Sequence, residues 1–395
     1  MSFDPSRVRG DFPPLRSGKL IYFDNACMSL RPQSVIDATT EYYTEFPACG
    51  ERSLHRLGKR VDREVEEARE ATRRFLGARH GEEIVFTLNT THAINIVAHS
   101  FPFASGDIVI TSDQEHNSNL LPWQQLGRSG LRHQAVPFND VDALRLALTP
   151  NVKLVSMAMT SNLDGASIDA PAVIRTAHAA GVPVLLDAAQ AVPHQEVDVR
   201  SLDVDFIACS GHKMLGPSGT GILYGKRKWL AALRPTLVGG GTVSDSTLQG
   251  ASYLDGPQRF EAGLQNYAGI IGLRRAIEYL EGVGRDAIRE HERILTRQLH
   301  DGLQQYDDIT IYGPPPEQRG GITSFAFQGI DVHDVCLLLD ESANVAVRSG
   351  QHCVHSWFNA HNVEGTVRVS FYLYNTSDEV AAFLDALESV HRLLT

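Results

Sequence analysis

The sequence predicts an α/β protein built on a largely parallel sheet with helices on both faces. Short runs of apolar, often β-branched residues alternate with helix-length segments through the first two thirds of the 395-residue chain. These runs are nearly continuous, which is typical of parallel strands that are buried on both faces. The predicted strands cover residues 83–87, 107–111, 152–159, 184–187 and 205–209.

Helical signals frame these strands. Residues 60–76 carry apolar side chains at helical spacing and end at Gly77, and a further helix begins near Thr90. Residues 239–263 contain three successive glycines and little apolar periodicity, so we expect a long loop that leaves the main sheet. Near the C-terminus, Thr376 and Glu379 have the spacing of a capping box that opens a last helix.

The length favours one large and one smaller domain, because a single core seldom extends over so many residues. We predict a large domain at 16–264 that carries the ligand site and a smaller α+β domain at 265–395. The N-terminal segment 1–15 is expected to pack against the C-terminal domain.

The composition disfavours several classes of partner. The formal net charge of -11 opposes a chain-wide attraction to nucleic acid or to anionic lipid. The sequence lacks an apolar run of about 18 residues and an N-terminal signal pattern, so we expect a cytoplasmic protein without a membrane segment. Its five cysteines form no C-x-x-C pair, which predicts reduced thiols and no metal site.

Polar residues follow the predicted strands where those strands end. Asp187 ends one strand, residues 210–213 (Ser-Gly-His-Lys) follow another, and His116, Asn119 and Asn162 follow two more. The carboxyl ends of parallel strands meet at one edge of the sheet, where ligands gather. The sequence therefore predicts one polar site at this edge.

The residue types suit pyridoxal 5′-phosphate (PLP), which needs a lysine for an imine, an acid beside the ring nitrogen and donors for the phosphate. Lys213, Asp187 and the pair Ser210 and His212 supply these groups. Residues 90–92 (Thr-Thr-His) also open a helix whose free N–H groups suit a phosphate, so Thr91 and His92 are candidate cofactor ligands. A lone lysine in a turn is usually just solvated, but its joint placement with Asp187 favours the functional interpretation.

Four motifs make the chain similar to a known family, and the likeness extends from Tyr22 to Ser370. It resembles the class V aminotransferases of fold-type I PLP enzymes, and within them the cysteine desulfurases and selenocysteine lyases used in iron–sulfur cluster assembly. The motifs are Asp187-Ala188-Ala189-Gln190-Ala191, Ser210-Gly211-His212-Lys213, Arg259-Phe260-Glu261-Ala262-Gly263 and Arg348-Ser349-Gly350-Gln351-His352-Cys353.

This resemblance implies roles for the candidate residues. Lys213 would hold PLP, Asp187 would pair with the pyridinium and His116 would stack on the ring. Further roles are implied for Asn162 and Gln190 at the ring's 3′-oxygen, for Thr91, Ser210 and His212 at the phosphate, and for Arg368, Arg348 and Asn162 at the substrate. The alternatives are a loop cap for His116, turn residues for Asn162 and Gln190, and a surface ion pair for Arg348.

Cys353 distinguishes the desulfurases from the other members of the family that the chain resembles. It lies between His352 and His355 in a glycine-containing loop, where an exposed thiol with cationic neighbours can ionise. In the desulfurases that the chain resembles, the cysteine at this place attacks the substrate sulfur and carries a persulfide. The buried-filler interpretation fits Cys27, Cys209 and Cys336 better.

The sequence departs from the family pattern at three places. Leu264 stands where the family usually has a threonine that reaches the phosphate in the neighbouring subunit. Cys27-Met28 follows Asp-Asn-Ala in place of small polar residues, and Leu163-Asp164 follows Asn162 in place of an apolar pair. These changes concern the substrate and one contact across a dimer rather than PLP binding itself.

The function predicted from the sequence is that of a PLP-dependent cysteine desulfurase, with selenocysteine lyase as a second activity that the resemblance allows. It would convert L-cysteine to L-alanine with a persulfide on Cys353, supplying sulfur for iron–sulfur clusters or thiolated products. Lys213 would move the protons, and the catalytic set would be Lys213, Cys353 and His116. The expected partners are an amino-acid substrate, a sulfur-acceptor protein and a second copy in a homodimer. The alternatives are an aminotransferase or epimerase of the same family and a non-catalytic sulfur-relay or scaffold protein.

Overall fold

The computed structural model describes residues 3–50 and 53–395. The strands, numbered in chain order, are β1 Ile21–Tyr22, β2 Ile84–Thr87, β3 Ile108–Ser112, β4 Arg132–Val136, β5 Val152–Ala158, β6 Val184–Asp187, β7 Phe206–Ser210, β8 Gly221–Gly225, β9 Val243–Thr247, β10 Gly250–Tyr253, β11 Ile309–Tyr312, β12 Ile322–Phe327, β13 Val345–Ala346, β14 Arg348–Gly350 and β15 Thr366–Ser370. The α-helices are α1 Ser6–Arg9, α2 Gln33–Glu45, α3 Arg56–Phe75, α4 Thr90–Ser100, α5 Asn117–Gln125, α6 Val141–Ala147, α7 Ala170–Ala179, α8 Val199–Leu202, α9 Arg227–Ala232, α10 Tyr267–Val283, α11 Arg285–Leu303, α12 Val332–Ala343, α13 His355–His361 and α14 Ser377–Leu394.

The larger sheet has seven strands in the order β2-β8-β7-β6-β5-β3-β4. Its neighbouring strands are parallel except around β8, which runs antiparallel to β2 and β7. Strands β2, β3, β6 and β7 are buried at every residue, as expected for strands covered on both faces. The predicted α/β class and the five predicted strands are confirmed. Strand β4 had escaped prediction because it is an edge strand with mostly solvent-exposed side chains and no continuous apolar run.

The smaller sheet is antiparallel, with the order β11-β12-β15-β14. Helices α11, α12 and α14 share an apolar core with it, which includes Leu295, Phe325, Leu339, Val369 and Phe383. This is the α+β arrangement predicted for the C-terminal part. The capping box is also present, because Thr376 accepts from the Glu379 N–H while the Glu379 carboxylate accepts from the Thr376 N–H.

The first helix beyond the predicted domain boundary packs with the larger sheet. Helix α10 lies against α2 and α3, and its Leu273 and Ile277 share a core with Val155 and Leu186 of the sheet. This packing favours a boundary near Gly284. The division into 16–264 and 265–395 stays a prediction.

The described part of segment 1–15 contacts the C-terminal third of the chain. Phe12 is fully buried, with ring centroids 4.5 Å from Tyr374 and 5.9 Å from Tyr279. Arg9 forms an ion pair with Glu379 at 2.7 Å. Met1 and Ser2 lie outside the described residues.

Residues 239–263 leave the main sheet, as predicted, but they are not a structureless loop. Strands β9 and β10 pair as an antiparallel hairpin that forms a sheet of its own. Its strand residues are mostly exposed and polar, so no apolar periodicity marked them in the sequence. In the described part of the chain, no helix has both the length and the apolar character needed to cross a membrane.

Candidate active site

A cavity of about 220 Å³ opens at the carboxyl edge of the larger sheet, where the smaller sheet meets it. Both sheets contribute to its lining. The sequence-predicted residues that line it are Thr91, His116, Asn162, Asp187, Gln190, Ser210, His212, Lys213, Arg348, Cys353 and Arg368. The structure therefore brings together nearly all of the candidates, although they are spread over almost 280 positions of the chain.

Lys213 ends a single 3-10 turn that follows β7 directly. The turn is tight: a Cβ atom on Gly216 would lie 2.9 Å from the carbonyl oxygen of Gly211, so only glycine fits there without a shift. Burial lowers the pKa of the Lys213 amine, and Asp187 opposes this shift. A larger fraction of neutral amine results, which is the form that adds to an aldehyde.

Asp187 is buried at the end of β6. Burial raises the pKa of its carboxyl group, whereas the Ala189 N–H, which donates to its Oδ1 at 3.0 Å, and Lys213 oppose the shift. A cationic ring nitrogen beside this carboxylate would favour the ionised form in the same way that Lys213 does.

The start of helix α4 forms one wall of the cavity. Asn89 caps the helix by accepting from the His92 N–H at 2.9 Å, and Ser210 Oγ accepts from the Thr90 N–H at 2.8 Å. Among the described residues, the Thr91 N–H has no hydrogen-bond partner. An open first-turn N–H at the positive end of a helix suits a phosphate oxygen.

The His92 side chain does not reach this cavity. Its Nδ1 accepts from the Leu88 N–H at 3.2 Å, and its ring lines two other surface depressions. His92 lies two positions after Thr90 on the helix, which turns its side chain away from the wall formed by Thr90 and Thr91. The structure gives the His92 side chain no contact with this cavity, and the role of His92 at the cofactor stays a prediction.

His116 lines the cavity and also caps a helix, so the two interpretations of this residue are compatible. Its Nδ1 accepts from the Ser118 N–H at 3.0 Å at the start of α5. Burial, with the positive charges of Lys213 and Arg368, lowers the pKa of His116 to about 3. The ring is thus neutral at physiological pH, with its proton on Nε2.

His212 lines the cavity beside Lys213. Burial, followed by the charges of Lys213 and Arg31, lowers its pKa to about 4. His212 can therefore offer a phosphate a neutral N–H but no charge.

Asn162 and Gln190 use their amide nitrogens within the protein. Asn162 Nδ2 donates to the His352 carbonyl at 2.7 Å, and Gln190 Nε2 donates to the Ala26 carbonyl at 2.7 Å. The Gln190 Oε1 atom is buried without a hydrogen-bond partner and belongs to a cavity-lining residue. Both side chains brace the cavity wall, and their roles at the ring oxygen stay predictions.

Arg348 and Arg368 face each other across the β14–β15 ladder, and Asp24 lies between their guanidinium groups. Arg368 is buried, with Nη1 donating to the Asn162 carbonyl at 2.9 Å and Nη2 lying 3.4 Å from Asp24 Oδ1. Arg348 is more open, 3.7 Å from Asp24 Oδ2, and donates to Cys27 Sγ at 3.0 Å. Because Arg368 Nε has no partner, this buried cation keeps an unused donor on the cavity wall.

Cys353 lies half-buried in the loop between β14 and α13. His352 and Cys353 are consecutive residues with positive φ, 49° and 61°, a conformation that costs non-glycine residues about 1–3 kcal/mol each. The loop is held by Asn162 on the His352 carbonyl and by the Asn117 N–H on the Cys353 carbonyl at 2.7 Å. These bonds fix the thiol at the cavity.

One cationic neighbour expected for Cys353 is not a cation. Burial, with the charges of Arg368 and Arg348, lowers the pKa of His352 to about 2, so its ring is neutral. It binds Thr366 Oγ1 through Nε2 at 2.7 Å. The positive charges lining the cavity near the thiol are instead those of Lys213, Arg348 and Arg368.

The structure adds residues that the sequence analysis did not assign to the site. Asp24 became a candidate only through its ion pairs, although the Asp-Asn-Ala motif had marked the segment. Cys27, expected to be a buried filler, lines the cavity. Asn119, expected at the site, is fully buried below it in a network with Glu115.

The donor set fits PLP. A lysine with a lowered pKa, a buried acid, a neutral imidazole and an open helix start line one cavity, and two of its lining residues keep a buried atom without a partner, Gln190 Oε1 and Arg368 Nε. Within the described residues, no group of three His, Cys, Asp or Glu side chains is arranged to hold a metal ion.

Comparisons with known proteins agree with this arrangement. The family model described as Aminotransferase class-V matches residues 21–383. A probable cysteine desulfurase of Halobacterium salinarum is 38% identical over 404 residues, covering 99% of this chain and 97% of the relative. A cysteine desulfurase of Dickeya dadantii is 39% identical over 402 residues, covering 98% and 97%.

Solved structures give the same result. The cysteine desulfurase CsdA of Escherichia coli superposes with a TM-score of 0.93 at 34% identity, and the apo cysteine desulfurase of Thermococcus onnurineus with 0.94 at 36%; each covers 100% of both chains. The fold and the turn that carries Lys213 agree with the family model, which matches most of the chain. The chain therefore belongs to the class V aminotransferase family.

Proposed function

We propose that this enzyme is a PLP-dependent cysteine desulfurase that converts L-cysteine to L-alanine and takes the sulfur onto Cys353. The observation that carries the proposal is the opening of Cys353 onto the same cavity as Lys213, Asp187 and Arg368. An aminotransferase or epimerase has no use for a thiol at this place, whereas sulfur transfer needs one. The similar proteins named cysteine desulfurases support this proposal.

The cofactor would be held by the residues of the larger sheet. Lys213 would bind it covalently, Asp187 would pair with the ring nitrogen, His116 would stack on the ring, and Thr91, Ser210 and His212 would hold the phosphate. PLP supplies an electron sink next to the substrate Cα when it is bound.

The residues of the smaller sheet act on the substrate. Arg368 receives the carboxylate, because its buried guanidinium is fixed by Asp24 and by the Asn162 carbonyl and keeps an unused Nε donor. Arg348, which is more open, assists it. Lys213 would take the proton from the substrate Cα and return one.

Sulfur transfer is the step assigned to Cys353. Its thiolate attacks the substrate sulfur, a new S–S bond forms and the Cβ–S bond breaks. The electron pair of that bond stays with the carbon fragment, which gains a proton and leaves as alanine. Selenocysteine is expected to react as well, because selenium is more readily attacked by a thiolate than sulfur and the Cβ–Se bond is weaker than the Cβ–S bond.

The proposal includes a homodimer, a sulfur-acceptor protein and a cytoplasmic location. The support for a homodimer is a surface depression lined by exposed apolar side chains, with Leu88, Leu237 and Leu264 exposed by 56%, 59% and 75%. A persulfide at a half-buried cysteine needs an acceptor that can reach into the loop, which favours a protein partner. Such a persulfide survives in a reducing compartment only if the acceptor takes its sulfur quickly.

The test is a persulfide map after brief exposure of the holoenzyme to L-cysteine, by alkylation and peptide mass. The variant Cys353→Ala should retain PLP and release almost no alanine. The matched control is Cys49→Ala, which removes an exposed thiol that does not line the cavity and should behave as wild type.

The outcome that would overturn the proposal is full alanine production by Cys353→Ala with no sulfur on Cys353 in the wild type. Such a result would remove Cys353 from the reaction, whereas D-cysteine or a keto acid in place of alanine from the wild type would favour the epimerase or aminotransferase alternative. An enzyme that takes up no PLP would point instead to the non-catalytic alternative.

A further inference from the structure

A fully buried carboxylate, Glu115, lies below the cavity and has no part in the reaction proposed above. It accepts from Ser112 Oγ at 2.5 Å, from Asn119 Nδ2 at 2.7 Å and from the Ala158 N–H at 2.9 and 3.0 Å. These donors come from the end of β3, from α5 and from the end of β5. One carboxylate therefore ties together three elements at the edge of the sheet that carries the cavity.

The hydrogen bonds continue beyond Glu115. Asn119 Oδ1 accepts from Ser156 Oγ at 2.5 Å and from Trp123 Nε1 at 3.3 Å, and these three side chains are also fully buried. A buried polar network of this kind holds its members in a single arrangement because any unpaired group would be costly.

Glu115 is joined to two groups that the proposed function places against PLP. His116 is the next residue, and Ala158, which donates to both oxygens of Glu115, is the ladder partner of Asp187 across β5 and β6. Burial raises the pKa of Glu115 to about 7, hydrogen bonds from Ser112, Asn119 and Ala158 oppose this shift, and the negative charge of Asp187 adds to it. The electrostatic coupling to Asp187 means that the charge of Glu115 is felt at the base of the cavity.

We propose that Glu115 is a positioning residue for the cofactor: it braces His116 and β5, and its negative charge, acting together with that of Asp187, strengthens the hold of the site on a cationic PLP ring. The inference rests on the proposed function only in requiring PLP as the ligand. It states that the negative charge of Glu115, and not only its hydrogen bonds, contributes to PLP binding.

Two variants distinguish the effect of the Glu115 charge from the effect of its hydrogen bond with Asn119. Both Glu115→Gln and Asn119→Ser disturb the Glu115–Asn119 hydrogen bond, but only the first removes the charge. The readouts are the Kd for PLP, measured by fluorescence without substrate, the pH midpoint of the absorbance of bound PLP, and the Tm.

Both variants should lower the Tm. Glu115→Gln alone should weaken PLP binding about tenfold at about pH 8 and lower the absorbance midpoint by about half a unit or more, because a nearby negative charge stabilises the protonated cofactor. Asn119→Ser should stay within about twofold of wild type in Kd, since the charge is kept.

The difference in Kd between wild type and Glu115→Gln should shrink near about pH 6, where Glu115 takes up a proton. The titratable side chains near Glu115 include Asp113 after β3, His133 on β4, His116 on the α5 side and Asp187 on β6, with Lys213 beyond Asp187. Burial lowers the pKa of His133 from its ordinary value. Because burial lowers the pKa of His116 to about 3, this ring does not change charge over that interval.

Equal effects of Glu115→Gln and Asn119→Ser on the Kd for PLP and on the absorbance midpoint would show that Glu115 acts only through its hydrogen bonds, and would overturn the proposal. The proposal would also be overturned if neither variant changed these quantities. If Glu115→Gln does not fold, Glu115→Asp and Glu115→Asn provide a pair of equal size that differs in charge, and the Asn variant should bind PLP more weakly. Wild-type protein that takes up no PLP would overturn the proposed function and this inference together, whereas a normal persulfide map with unchanged Glu115→Gln binding would overturn the inference alone.

Discussion

Buried histidines surround the proposed chemistry as neutral groups. Burial lowers the pKa of His116, His212, His300 and His352 to about 3, 4, 4 and 2. The first, second and fourth lie at the cavity, where cationic Lys213, Arg348 and Arg368 add to the effect of burial. Positive charge at the site is thereby left to lysine and arginine, and the neutral imidazoles take part in hydrogen bonds.

A neutral His352 makes the fold sensitive to acid. Between its folded pKa of about 2 and an unfolded value of about 6.5, the unfolded chain binds one more proton, so the free energy of unfolding falls as pH falls below about 6.5. The variant His352→Gln should flatten this pH dependence by about 1.4 kcal/mol per pH unit between about pH 5 and about pH 6. Urea unfolding of the variant, with the exposed His361→Gln as control, measures the slope; an unchanged slope would contradict the neutral assignment.

Asp187 should matter for turnover more than for cofactor content. The variant Asp187→Asn keeps the shape of the side chain but offers no anion to a protonated ring nitrogen, so we expect PLP to remain bound while kcat falls at least about a hundredfold. PLP content by absorbance and initial rates with L-cysteine are to be compared on the same preparation. Unchanged kcat at full occupancy would make Asp187 a structural residue.

At the scale of elements, the start of α4 contacts the end of β7 and the turn that follows it. Ser210 Oγ, at the end of β7, accepts from the Thr90 N–H at 2.8 Å and forms a second hydrogen bond with Thr90 Oγ1 at 2.6 Å. Strand β8 supports them from the side, because a Cβ atom on Gly221 would lie 2.6 Å from the Asn89 Cα. The helix start that suits a phosphate is therefore placed by contacts with two strands.

The variant Gly221→Ala tests this support. The added methyl group meets backbone atoms of the helix cap, so the cap must shift at a cost of about 1–3 kcal/mol. We expect a lower Tm and weaker PLP binding, measured by equilibrium titration. Gly240→Ala is the matched control, since nothing lies within 4 Å of an added Cβ atom there; equal PLP affinity for the two variants would show that the contact does not place the helix start.

At the scale of the whole molecule, the candidate site is complete only where the two sheets meet. The larger sheet supplies Lys213 and Asp187, and the smaller sheet supplies Arg348 and Arg368 and carries the loop of Cys353. The N-terminal segment helps to join them, because Phe12 lies between Tyr279 of α10 and Tyr374, which precedes α14.

Removing this aromatic link should destabilise the whole protein. Phe12 is fully buried, so Phe12→Ala should lower the free energy of unfolding by about 3–5 kcal/mol through lost burial and a cavity. Leu146→Ala, at a side chain that is 86% exposed, should change it little. Chemical denaturation of the two variants distinguishes them, and a Phe12→Ala loss no larger than that of Leu146→Ala would show that the segment is not needed for the fold.

The sequence by itself determined the features that repeat locally or follow directly along the chain. Apolar runs marked the buried strands, the Thr376–Glu379 spacing marked a helix start, and the positions after strand ends predicted that Lys213, Asp187, His116 and Asn162 meet at one edge. These inferences succeed because the geometry of a strand, a cap or a parallel sheet edge depends on few neighbouring residues.

Only the tertiary structure decided which distant side chains contact each other and which of them are buried. Asp24 and Arg368 lie 344 positions apart in the chain, the orientation of His92 depends on how α4 packs, and His352 loses its charge because distant residues bury it and place two arginines nearby. Glu115 likewise looked like an ordinary charged residue until the ends of β3 and β5 and helix α5 enclosed it. Protonation and ligand contact are set by desolvation and by charges from remote segments, and local patterns carry no information about either.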